Sequence, residues 1–398
     1  MTDSQHPTDV ETGFDSADKP TDGPTDGEPG GTDASRFINW DLAVSTAHHL
    51  ARPGPHATRA EIAEAVADLR RFAAEATPLV RECTGLVAND LHAPVLVVDR
   101  PGWVQANVDA FSQVLDPLIR RLIGDREQSM PAIASKVGSQ VTGVELGAVL
   151  AFLASKVLGQ FDPYHRAEGE VGRLLLVAPN VVAVERELGV DPADFRLWVC
   201  LHEETHRVQF TTVTWLEGHL RGRLDALLSS DDLDPAAVFG RLKDGLDQTV
   251  RSMRGVKGDR TGQPAGLVDL ISTPEQKAVL DEITALMTLV EGHADVVMDL
   301  AAPAVIKTLP DIRAKFDVRR RTGSSPVDQL MRRLLGMDAK MRQYREGALF
   351  VRAIVDRIGM DGFNQVWTSP ETLPSKAEID QPDRWLERVA GVSPAAGI

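Results

Sequence analysis

The chain has little of several things, and each shortage excludes something. Two cysteines, Cys83 and Cys200, stand in 398 residues. That number makes no disulfide framework, so the chain reads as adapted to a reducing, cytoplasmic compartment. Aromatic residues make up 5%, with two tyrosines, Tyr164 and Tyr344. Positive charge is in deficit: the net charge is −15. Phosphate backbones are held by clustered Lys and Arg, so nucleic acid is not an expected partner. The one dense basic run, Arg319 to Arg321, adjoins Gly323 and Pro326 and reads as a solvated loop or helix end. No apolar run is long enough to span a bilayer, since the best stretch, 146–158, is interrupted by Lys156. The first residues carry neither a basic nor an apolar signal region. No membrane partner is expected.

Charge and periodicity are informative where they do occur. Residues 1–35 carry nine acidic side chains against Lys19 alone, so about half of the net charge sits there. The segment is almost free of large apolar groups and cannot offset its chain entropy by burial. It is expected to be a disordered acidic tail, with a single domain over 36–398. Most of that domain has helical period: 58–80 (with Pro78 as a stop signal near its end), 104–124, 143–158, a helix opened by Asp191 and Pro192 and running to about 228, another from Pro274 to about 302, and 326–358. Two short runs, 94–99 and 172–177, read as strands. The fold class is mainly α with a small β-sheet. The segment 229–275, with a Gly- and Pro-bearing loop, could be a lid or a tolerated insertion.

One motif carries chemistry. Residues 201–206 read LHEETH, an HExxH pattern. On a helix, positions i and i+4 share a face about one turn apart. Two imidazoles, His202 and His206, can then reach one zinc ion at about 2.0–2.1 Å. Glu203 is placed to take a proton from water that zinc has made acidic. The bland alternative is two surface histidines on an ordinary helix, but Trp198, Val199, Val208 and Phe210 surround the motif and a strand candidate precedes it.

A catalytic zinc site needs a third protein ligand and an open position. The metzincin extension would place Gly at 209 and His at 212, where this chain has Gln209 and Thr212. A carboxylate on a later helix is the other solution. Glu291 lies in register with Ile283, Met287, Ala294 and Met298, where an unpaired carboxylate would be costly. His293 is the competing ligand, although two residues from Glu291 it points to a different face. Asp295, four residues beyond Glu291, is a candidate to hydrogen-bond the outer nitrogen of a ligating imidazole. Tyr344 is a candidate oxyanion donor, against the plainer reading of a core tyrosine. His219 is too far along the helix from His206 to ligate.

These features together resemble a known family, the zincin-like metallopeptidases, some of which are named for an association with biosynthesis of a deazaflavin coenzyme. The resemblance covers about residues 36–390. It rests on INWDLA at 38–43, VLGQFD at 157–162, LHEETHR at 201–207, EGHAD at 291–295, KMRQYREG at 340–347 and VWTSPETLP at 366–374. It implies a zincin-like helical core and a zinc cofactor, and it implies no particular substrate. The expected function is a zinc-dependent hydrolase acting on a peptide or amide. The alternatives are a non-catalytic zinc protein and a helical interaction module that binds no metal.

Overall fold

The computed structural model describes residues 38–87, 92–123, 132–228, 274–322 and 337–392. The expected acidic tail lies outside the described residues, as do 229–273 of the candidate lid and the loop at 323–326. Among the described residues the fold is mainly α with a small β-sheet, as the sequence predicts. None of the described helices is long and apolar enough to cross a membrane.

The longer helices among the described residues are α1 (Trp40–Leu50), α2 (Arg59–Thr84), α3 (Arg100–Ile123), α4 (Ala132–Ala154), α5 (Ala178–Leu188), α6 (Pro192–Thr212), α7 (Leu216–Leu228), α8 (Pro274–Ala301), α9 (Leu309–Thr322) and α10 (Met337–Phe363). The strands are β1 (Val95–Val98), β2 (Gly159–Ala167) and β3 (Glu170–Val177), in the order β1-β3-β2. β3 pairs parallel with β1 and antiparallel with β2. Its run Leu174-Leu175-Leu176-Val177 is wholly buried. Successive side chains alternate between two cores. Leu176 joins the large core of α2, α6, α8 and α10, while Leu175 and Val177 join a second core with α1, α3 and α4. A strand covered on both faces reads as an unbroken apolar run, which is why its period of two was invisible in the sequence.

Three expectations need correction. β2 was not foreseen. It carries Pro163, which argues against a strand, but Pro163 falls at a register irregularity between Asp162 and Arg166 on an edge, where a missing N–H breaks no ladder. Pro78 lies inside α2, which continues to Thr84. Leu79 and Val80 of the extra turn pack into the large core, and that burial holds the helix past the proline. The third concerns the HExxH helix, expected to run on to about 228. It ends at Thr212, where the Val213 N–H caps the Gln209 carbonyl, and α7 restarts at Leu216.

α6 positions the site. Asp191 caps its first turn by accepting from the Asp194 N–H, with Pro192 next. It packs against α2, α8 and both β2 and β3. Its buried Arg196 pairs with Glu185 and Asp68, and its buried Glu204 with Arg207. On the outside, Arg319 pairs with Glu187 at 3.0 Å; the side chains of Arg320 and Arg321 lie outside the described residues.

Candidate metal centre

α6 and α8 bring three potential ligands together. The His202 and His206 Nε2 atoms are 3.3 Å apart. Glu291 Oε2, from α8, lies 3.5 Å from the first and 3.4 Å from the second. These contacts are long for hydrogen bonds, which favour about 2.7–3.2 Å. They match the edges of a tetrahedron around an ion with bonds of about 2.0–2.1 Å, roughly 3.3–3.4 Å. Two imidazoles and one carboxylate are also a donor set that zinc takes in catalytic sites. Among the described residues, this is the cluster of His, Cys, Asp and Glu able to hold an ion. The residues present therefore fit a zinc ion.

The electrostatics agree. Burial lowers the proton affinity of His206, but the Glu291 carboxylate more than offsets this and raises its pKa to about 9. Burial by itself would raise Glu291, yet the two imidazoles hold it well below the usual carboxylate range. In the metal-free protein a proton thus supplies positive charge where a divalent ion would supply more. The His202 side chain is 24% exposed, against 11% for His206 and 13% for Glu291, so the cluster opens towards solvent on the His202 side.

The model of the zincin-like metallopeptidases matches residues 38–386. The chain belongs to this family. It is also similar to a crystal structure from Chloroflexus aurantiacus of a protein provisionally described as a hydrolase with a novel fold. The two share 30% identity over 89% of this chain and 100% of that one, with a TM-score of 0.63. No curated protein matches the sequence.

In this member of the family the remaining candidates are distributed as follows. Glu203 is buried, directly after His202 on α6. The start of β2 packs against it: a Cβ on Gly159 would stand 2.5 Å from Glu203 Cγ and 2.6 Å from Cδ. Gly159 therefore leaves the space this carboxylate occupies. Gly159→Ala should displace the carboxylate and lower turnover about 10²-fold, the scale of a 1 Å misplacement. Zinc content should stay unchanged; a wild-type rate in a steady-state assay would show that β2 does not position Glu203.

Asp295 does not reach the imidazoles. Its carboxylate accepts from Arg313 Nη1 at 2.7 Å. The outer nitrogens have other neighbours: His202 Nδ1 lies 3.2 Å from Met298 Sδ, and His206 Nδ1 lies 2.9 Å from Gln209 Oε1. His293 is fully buried and is not part of the three-donor cluster; its Nδ1 lies 2.9 Å from Gln209 Nε2 and its ring stacks on Phe363. Burial and, next, the nearby His206 charge depress its pKa to about 3. Tyr344 falls within α10, but its side chain lies outside the described residues. Sequence reasoning missed Gln209, Met298 and Gly159. The signal for Gln209 was its spacing of three from His206, which puts both on one face; Gly159 carried no signal short of the tertiary fold.

Proposed function

We propose that this chain is a zinc-dependent peptidase or amidase, with His202, His206 and Glu291 as the protein ligands. The observation that carries the reading is the convergence of three donor atoms at tetrahedral spacing, one residue away from a buried glutamate. Zinc held there supplies Lewis-acid chemistry, acidifying water and polarising a carbonyl. Glu203 takes the proton that water loses on attack and returns it to the leaving nitrogen. Its burial beside β2 keeps the carboxylate oriented, and the exposed side of His202 gives substrate a way in.

The site can be tested by removing the metal. Stripping zinc with a chelator should abolish cleavage of a mixed peptide library, read by mass spectrometry, and adding zinc back should restore it. Cleavage that survives complete stripping contradicts the reading. A stoichiometric zinc protein that cleaves nothing would favour a non-catalytic zinc site instead.

A further inference from the structure

Gln209 lies on the face of α6 that carries His206, one turn further on, and is fully buried. A buried amide has four hydrogen-bonding sites to satisfy, and which end is oxygen follows from its partners. Here one partner admits no choice. The Val290 backbone carbonyl, 3.0 Å away, is an acceptor, so the atom facing it is the NH₂ group. The amide oxygen then faces His206 Nδ1 at 2.9 Å, and that nitrogen carries a hydrogen. The same NH₂ group lies 2.9 Å from His293 Nδ1, which accepts, so the His293 proton sits on Nε2. One main-chain carbonyl of α8, next to Glu291, thereby fixes the tautomers of two histidines through a single side chain.

We propose that Gln209 is a positioning residue for the metal centre: it holds His206 with Nδ1 protonated and Nε2 turned to the ion, and it ties this imidazole to the stretch of α8 that bears Glu291. The inference rests on the zinc reading of the same site. His293 serves it by receiving the second amide hydrogen from a pocket walled by Phe363 and Trp367. Glu291 and His293, rivals for one ligand position in the sequence, thus have separate tasks two residues apart.

The test uses the whole chain and two substitutions, Gln209→Leu and Gln209→Glu. Both leave the Val290 carbonyl without its donor, so both should lower the melting temperature of the metal-free protein. They differ at His206. Leu offers no acceptor, and zinc affinity, measured by competition with a chromogenic chelator, should fall about 10–100-fold. Glu keeps the acceptor, and affinity should return to within roughly threefold of wild type, since the partner of the ligating imidazole is restored. A purely structural role predicts that zinc affinity follows melting temperature in both variants. Equal affinity in wild type and Gln209→Leu, or equal losses in the two variants, overturns the proposal while leaving the zinc site standing. A wild-type protein that binds no zinc overturns the zinc reading and this inference with it.

Discussion

Glu203→Gln should lower hydrolysis about 10²–10⁴-fold, the range that a positioned general base contributes, while zinc content stays at the wild-type level. The two effects separate because the chain gives them to different groups. The converging donors belong to His202, His206 and Glu291. Glu203 follows His202 on the helix and packs on Gly159 of β2, and glutamine has nearly the same shape, so the fold around it should persist. The amide cannot accept the proton as a carboxylate does. The readouts are turnover of any cleaved peptide and zinc per chain by elemental mass spectrometry. Wild-type turnover in this variant means that another group serves as base. Loss of zinc together with turnover means that Glu203 supports the metal, and that its assignment as base is wrong.

The second large effect is expected where two helix backbones meet behind Glu291. Gly347→Val should destabilise the protein by about 3 kcal/mol, at the upper end of the range for overpacking, and weaken zinc binding as well. α8 and α10 cross at two glycines. A Cβ on Gly347 would fall on the Thr288 carbonyl, and one on Gly292 on the Gly347–Ala348 peptide. Backbone faces backbone there, so no rotamer change relieves the clash. Gly292 is the neighbour of Glu291, and α8 cannot back away from α10 without carrying that carboxylate with it. Denaturant unfolding and chelator competition measure the two consequences. Unfolding at the wild-type midpoint would show that the crossing is looser than its geometry.

The candidate site was legible in the sequence where local spacing decides geometry. His202 and His206 are a helical turn apart whatever surrounds them, and Glu291 stood out as a carboxylate on an apolar stripe. What spacing cannot give is the partner across a helix pair. Asp295 has the right separation from Glu291, yet Arg313 from α9 claims its carboxylate, and Met298 and Gln209 stand beside the imidazoles instead. The fold divides in the same way. The long amphipathic helices announced themselves by period. β2 did not, because Pro163 and a broken register conceal an edge strand, and α2 outran Pro78 because tertiary burial outweighed a local stop signal.

In the proposed site three side chains from two helices grip one divalent ion. X-ray absorption at the zinc edge on the purified, zinc-loaded chain addresses it most directly. One zinc per chain is predicted, with nitrogen and oxygen neighbours at about 2.0–2.1 Å and an imidazole signal that weakens in His206→Ala. A centre containing sulfur, or a spectrum unchanged in that variant, would place the ion elsewhere and contradict the account.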